Sequence, residues 1–175
     1  MATVTVPDPH PACLDDATLA RQCRVTFGRG SGPGGQHRNK VETAVFVTHV
    51  PTGVKATAAE RRSQGQNRHV AQRRLRTKLA ITVRTTIRMN RFRPSALWVQ
   101  RRQGKALPVN ARNRDFPALL AEAMDVVTAM TFDVGGAAGV FGVSMSQLAK
   151  LLGREPAALA WVNRGREARG LPKLR

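Results

Sequence analysis

Residues 28–40 read Gly-Arg-Gly-Ser-Gly-Pro-Gly-Gly-Gln-His-Arg-Asn-Lys. Five of these thirteen residues are glycine, at 28, 30, 32, 34 and 35, and none is a carboxylate. The stretch therefore offers backbone N–H groups and cations with no opposing charge. Pro33 fixes one φ just ahead of the Gly34-Gly35 pair. Paired glycines let the backbone turn where a Cβ would forbid it. Gln36 follows, with a neutral side chain carrying two donors and an acceptor. Such a loop can carry one amide side chain and one backbone N–H deep into an anionic site.

The flanks of this loop read as strands. Residues 22–28 alternate, with Cys23, Val25 and Phe27 on one face. Residues 42–50 form a second alternating run, with Ala44, Phe46 and Thr48 on one side. Pro51-Thr52-Gly53 makes a tight turn, and residues 54–59 return as a third strand. The loop hangs from two strand ends of a small antiparallel sheet. Gly30-x-Gly32-x-x-Gly35 also fits a dinucleotide-binding fingerprint, but that motif opens a helix and is followed by an acidic residue about twenty positions on. Here a strand follows and position 55 is lysine. No phosphate-loop motif is present, and Ser31 lacks the spacing of a hydrolase nucleophile.

Ser63-x-x-Gln66 reads as a capping box that opens a helix. Ala71, Leu75, Leu79 and Val83 recur every four residues and would lay that helix on the sheet. Arg68, Arg73, Arg74, Arg76 and Lys78 fall mostly on its other faces. The β-branched runs at 81–83 and 85–87 weaken the helix towards its end.

Gly34-Gly35-Gln36 resembles the GGQ tripeptide of class I peptide release factors. The context matches that family in order: Arg29, Ser31-Gly32, His37, Asn39-Lys40, Thr48-His49, Pro51-Thr52-Gly53, Glu60-Arg61, Ser63-Gln64 and Asn67-Arg68. The resemblance covers roughly residues 23–79. Arg38 departs from it, standing where a small or apolar residue is expected. In this family the GGQ loop enters the peptidyl-transferase centre of the large ribosomal subunit and promotes hydrolysis of the ester joining nascent peptide to tRNA. The resemblance implies catalytic roles for Gly34, Gly35 and Gln36. It implies rRNA or tRNA contacts for Arg29, Ser31, His37, Arg38, Asn39, Lys40, Arg61, Arg62, Gln64, Asn67, Arg68, Arg73, Arg74, Arg76 and Lys78. The partners are then the ribosome, its rRNA and peptidyl-tRNA, met by a cytoplasmic monomer with no cofactor, metal or membrane. Stop-codon-reading members carry a decoding domain ahead of the GGQ domain. Only about 22 residues precede the first strand here, so the chain resembles the short, codon-independent members that rescue stalled ribosomes. A disordered basic tail, known in some of those, is not the pattern of this chain's C-terminal part.

Composition agrees with a polyanionic partner. The formal charge of the 175 residues is +18, from 29 Lys and Arg, of which 23 are Arg. Arginine's planar fork suits phosphate and base stacking. Residues 61–114 hold sixteen Lys or Arg and no Asp or Glu, a like-sign block rather than a mixed solvated face. Cys13 and Cys23 form no C-x-x-C pair and read as reduced thiols. His10, His37, His49 and His69 lack metal-ligand spacing, and His49 reads as a structural strand residue. Residues 1–12 read as a loose arm and not as a signal peptide, with one short helical turn after Asp15-Asp16. The longest apolar run, 134–143, is too short to span a membrane.

Residues 90–114 read as a basic connector holding a short helix capped by Ser95, in which Trp98 packs rather than stacks on a base. Asp115 caps a clear helix with Leu119, Leu120, Ala123, Met124, Val127 and Met130 as its apolar stripe. Ala138-x-x-x-Gly142-Val143-Ser144-x-x-x-Leu148-x-x-Leu151 resembles a helix-turn-helix, and Pro156 opens a last helix. Lys150, Arg164, Arg166 and Arg169 are candidate nucleic-acid contacts there. The expected fold class is α+β. A three-stranded antiparallel sheet under a long basic helix occupies residues 1–89, the connector 90–114, and a small all-α domain 115–175. A second reading is a non-catalytic RNA- or DNA-binding protein that uses the helix-turn-helix-like part.

Overall fold

The alternating runs over residues 23–28, 44–49 and 55–58 produce a three-stranded antiparallel sheet in the computed structural model, which describes residues 4–29 and 42–174. Strand β2 (Cys23–Gly28) pairs with β3 (Ala44–His49), with Cys23 opposite His49 and Gly28 opposite Ala44. Strand β4 (Lys55–Ala58) closes the sheet on the other side of β3. Between them Gly53 takes φ +70°, the left-handed turn position that glycine fills without strain. Val45 and Val47 point into the core together with Ala56 and Ala58. Ala44, Phe46 and Thr48 lie on the opposite side, where Ala44 is still buried and Phe46 is 42% exposed. Phe27 shares the core-side face of β2 but sits at the strand's end and is exposed. His49 is buried, with one ring nitrogen 2.7 Å from Thr52 Oγ1 and the other 2.8 Å from Gln22 Oε1. It ties the turn to the start of β2.

Helix α2 (Gln64–Thr82) covers the sheet. Ser63 caps it by accepting from the Gln66 N–H at 3.4 Å. Ala71, Leu75 and Leu79 are fully buried, as the four-residue spacing requires. The helix runs one turn past Leu79 and stops where β-branched residues take over. Val83 is no longer helical but begins strand β5 (Val83–Thr85).

That strand has a partner the sequence reading did not anticipate. Val4–Val6 form strand β1, which pairs in parallel with β5, Val4 opposite Val83 and Val6 opposite Thr85. The described part of the N-terminal arm is therefore docked. His10 is buried beside Val83, its Nε2 3.2 Å from the Val83 carbonyl, while its Nδ1 accepts from the Ala12 N–H at 3.0 Å. A 3-10 turn over Pro11–Cys13 leads to helix α1 (Asp16–Arg21), capped by Asp15.

Among the described residues further helices follow, of which those over 116–129 and 156–167 pack directly on α2. These helices are α3 (Ala96–Arg101), α4 (Phe116–Ala129), α5 (Val134–Phe141), α6 (Met145–Gly153) and α7 (Pro156–Glu167). Ser95 caps α3 by accepting from the Trp98 N–H. Trp98 itself is fully buried and stacks on Phe141 with ring centroids 3.8 Å apart. Asp115 precedes α4 but makes no capping bond. Its carboxylate turns instead to Arg101, accepting from Nε at 2.9 Å. Gly142 ends α5 at φ +65°, and Ser144 caps α6 by accepting from the Gln147 N–H. One cluster of buried apolar residues runs from Ala12 through the sheet and α2 to Val162 in α7. At its centre Arg84 of β5 donates to Asp125 of α4 at 2.7 Å, with both side chains almost fully buried.

Candidate functional site

The Gly-rich loop leaves the sheet at Gly28 and returns at Glu42. Gly34, Gly35 and Gln36 lie outside the described residues, as do Ser31, His37, Arg38, Asn39 and Lys40. On the outgoing side, the Phe46 ring covers Gly28, and a Cβ added there would stand 3.1 Å from a ring carbon. Any larger residue would push that ring aside. Arg29 follows, exposed.

On the returning side, the first turn of α2 holds the backbone. Gln64 Nε2 donates to the Glu42 carbonyl at 3.1 Å. Asn67 Nδ2 donates to the Thr43 carbonyl at 2.7 Å and to the Arg61 carbonyl at 2.9 Å. Asn67 Oδ1 accepts from the Arg61 N–H at 2.9 Å. Asn67 has no solvent exposure at all. The RNA contact expected of Asn67 is thus corrected: both amide hydrogens and the carbonyl are used by backbone, so nothing is left to meet a nucleic acid. Gln64 stays exposed at the same junction.

The predicted cations divide by partner. Arg61, Arg62, Arg68 and Arg73 are exposed, with no side-chain partner among the described residues. Arg61 and Arg62 stand just ahead of α2 near the loop's return, and Arg68 and Arg73 project from different sides of its first half. Arg74 is exposed but paired with Glu60 at 2.6 Å, and Lys78 donates to the Lys55 carbonyl at 3.0 Å. Arg76 is corrected from RNA contact to structural tie. It donates to the carbonyls of Ala12 at 3.1 Å and Leu14 at 2.6 Å and pairs with Asp16 at 2.7 Å, fastening α1 to α2.

The C-terminal candidates divide in the same way. Arg166 is 5% exposed, with Nε donating to the Pro172 carbonyl at 2.8 Å and Nη1 to the Phe132 carbonyl at 2.7 Å. It holds the chain end onto α7 and is unavailable to phosphate. Arg169 is exposed and lies over the Phe132 ring, 4.6 Å from its centroid. Lys150 and Arg164 are exposed, with no side-chain partner among the described residues. Gln147 on α6 turns inward, its Oε1 accepting from the Leu107 N–H at 3.4 Å.

The fold also alters the electrostatics of the acid-free block. Five of its sixteen cations find carboxylates from elsewhere in the chain: Arg74 with Glu60, Arg76 and Arg114 with Asp16, Arg84 with Asp125, and Arg101 with Asp115. Burial lowers the pKa of His10 and His49, favouring the neutral imidazole. Burial raises the pKa of Glu122, opposed by its bonds from the Ser95 N–H and hydroxyl, both at 2.7 Å. Among the described residues no group of three or more His, Cys, Asp and Glu could hold a metal ion. No helix there is long and apolar enough to cross a membrane. Sequence reasoning missed the returning-side grip on Glu42 and Thr43. The available signal was spacing: Gln64 and Asn67, three apart, share one face of a helix start.

Comparison with known proteins bears on the same segment. The RF-1 domain matches residues 18–110, just over half of the chain. Peptide chain release factor 1 of Ureaplasma parvum is 50% identical over 79 residues, covering 45% of this chain and 22% of that protein. Peptide chain release factor 1 of Kineococcus radiotolerans is 54% identical over 71 residues, 41% of this chain and 20% of that protein. Peptide chain release factor 2 of Thermomicrobium roseum is 46% identical over 66 residues, 37% and 18% respectively. The chain thus matches about a fifth of the length of these relatives. The sheet, the Gly-rich segment between β2 and β3 and the long helix all fall inside the matched region, and the chain belongs to the RF-1 domain family, that of the class I release factor catalytic domain.

Proposed function

We propose that this protein hydrolyses the peptidyl-tRNA ester inside the ribosome and releases nascent chains from stalled ribosomes without reading a stop codon. The observation that carries the reading is Gly34-Gly35-Gln36, set between two strands whose ends are fixed at Gly28 and at Glu42-Thr43. Water attacking an ester builds negative charge on the carbonyl oxygen. A preplaced backbone N–H stabilises that charge, a contribution of about 2.7–4 kcal/mol per donor. In this reading the N–H of Gln36 supplies the donor and its side chain orients water. Arg29, Ser31, His37, Arg38, Asn39 and Lys40 meet rRNA or tRNA around the loop. Arg61, Arg62, Arg68 and Arg73 grip phosphates beside it. No cofactor takes part, and the ribosome and the tRNA supply the remainder of the site.

Residues 1–89 then carry the chemistry. Residues 90–114 connect, and 115–175 bias which ribosomes are chosen, through Lys150, Arg164 and Arg169. The protein acts as a monomer in the cytoplasm. The alternative, a non-catalytic nucleic-acid binder using 115–175, is weakened by the inward Gln147 and the buried Arg166. The test is release of labelled peptide from ribosomes stalled on mRNA that lacks a stop codon, alongside ribosomes with a stop codon in the A site. Release from the first without dependence on the second supports the proposal. Release only with a stop codon refutes codon independence, and no release from either refutes hydrolysis.

A further inference from the structure

We infer that Gln64 and Asn67 are positioning residues that set the direction in which the Gly-rich loop rejoins the sheet, and through it the rate of ester hydrolysis. The inference rests on the proposed function. Three observations carry it. Asn67 is buried completely although it is polar, which demands full hydrogen bonding. Its partners are two different pieces of backbone: the Thr43 carbonyl, one residue ahead of β3, and both polar groups of Arg61, just ahead of α2. One side chain therefore locks the loop's return to the start of the long helix. Gln64, three residues earlier on the same face, takes the preceding carbonyl, that of Glu42, at 3.1 Å. Two successive backbone carbonyls are thus held by two side-chain amides from one helical turn.

The chemistry explains why amides serve here. A carbonyl needs a donor, and a cation would bring an unpaired charge into a buried place. An amide donates to Thr43 and accepts from Arg61 at once, which no aliphatic, carboxylate or ammonium group can do. Carbonyls held at two consecutive residues orient two successive peptide planes, and with them the φ and ψ of Thr43 between those planes. Displacing a reacting group by about 1 Å can cost a hundredfold in rate. The junction therefore acts on the chemical step rather than on ribosome affinity, which the exposed arginines carry.

The test compares the full-length protein with Asn67→Ala and Gln64→Ala, the second being exposed and safe for folding. Single-turnover peptide release is measured against factor concentration on stalled ribosomes. Tryptic nicking after Arg38 and Lys40 is measured on the free proteins. The inference expects the saturating rate to fall at least tenfold in Asn67→Ala and about threefold in Gln64→Ala. The half-saturating concentration should stay within twofold of the parent, and nicking should rise severalfold in both. It is overturned if rate and nicking are unchanged in Gln64→Ala, or if the variants lose affinity while keeping the saturating rate. If the parent releases no peptide, the proposed function fails. Nicking then decides the grip alone: a rise upholds it and no change overturns it.

Discussion

Replacing Asp125 by Leu should be among the most damaging single changes in this protein. Arg84 is 5% exposed and Asp125 3%. The guanidinium donates to Asp125 Oδ1 at 2.7 Å and to the Ile81 carbonyl at 2.8 Å, and it lies 5.4 Å from the Trp161 ring centroid. Its Nε already lacks a partner among the described residues. Asp125→Leu removes the only carboxylate paired with Arg84 in the described residues and strands a buried cation. Thr85 Oγ1 loses its acceptor as well. Breaking a buried pair from one side costs about 3–5 kcal/mol, whereas replacing both partners by apolar residues is often neutral or stabilising. For a domain of this size about 1 kcal/mol moves the melting temperature by roughly 2–4 °C, so Asp125→Leu should melt about 6–20 °C lower. The double variant Arg84→Met with Asp125→Leu should recover most of that. The assay is guanidinium and thermal unfolding followed by circular dichroism. Because β5, α4 and α7 meet at this pair, the parent should unfold in one transition. A single-variant cost below about 1 kcal/mol, or a double variant as unstable as the single, refutes the reasoning.

Two further predictions concern conditions. Burial lowers the pKa of His10 and His49, so the folded state binds fewer protons than the unfolded one as pH falls through the ordinary imidazole pKa near 6.5. Their contribution is complete above that pH and is lost as pH falls. The denaturant midpoint should drop between pH 7.5 and 5.5, and His49→Gln should flatten the drop; an unchanged parent midpoint contradicts this. For ribosome binding, Arg61, Arg62, Arg68 and Arg73 alone give a slope of log K against log salt of about −3 to −4. A slope shallower than about −2 removes these arginines from the footprint.

The sheet, its turn and its long helix were legible because they obey local rules. Residues 23–28, 44–49 and 55–58 alternate, Gly53 closes a turn, and Ser63, Ser95 and Ser144 stand at helix starts where their hydroxyls accept from the backbone. The parallel β1–β5 pair was not legible. Each strand has three residues and its partner lies some eighty positions away, so no periodicity develops in either. The buried roles of Asn67, Arg76 and Arg166 were hidden for another reason. Their partners are largely backbone carbonyls, which leave no mark on the sequence. Charge counting along the chain likewise could not see Asp16, Asp115 and Asp125 arriving from outside residues 61–114. Asp115 shows that a capping residue type does not guarantee a cap when a nearby arginine competes for the carboxylate.

The most direct measurement is single-turnover peptide release from stalled ribosomes at saturating protein, comparing the parent, Gly35→Ala and Gln36→Ala, with binding checked separately. A Cβ at Gly35 should turn the Gln36 N–H off the oxyanion, slowing release roughly a hundred- to thousandfold at unchanged affinity. Gln36→Ala keeps the N–H and should retain measurable release, with easier use of hydroxylamine. A parent that releases nothing, or a Gly35→Ala variant as fast as the parent while Gln36→Ala is dead, would contradict the account.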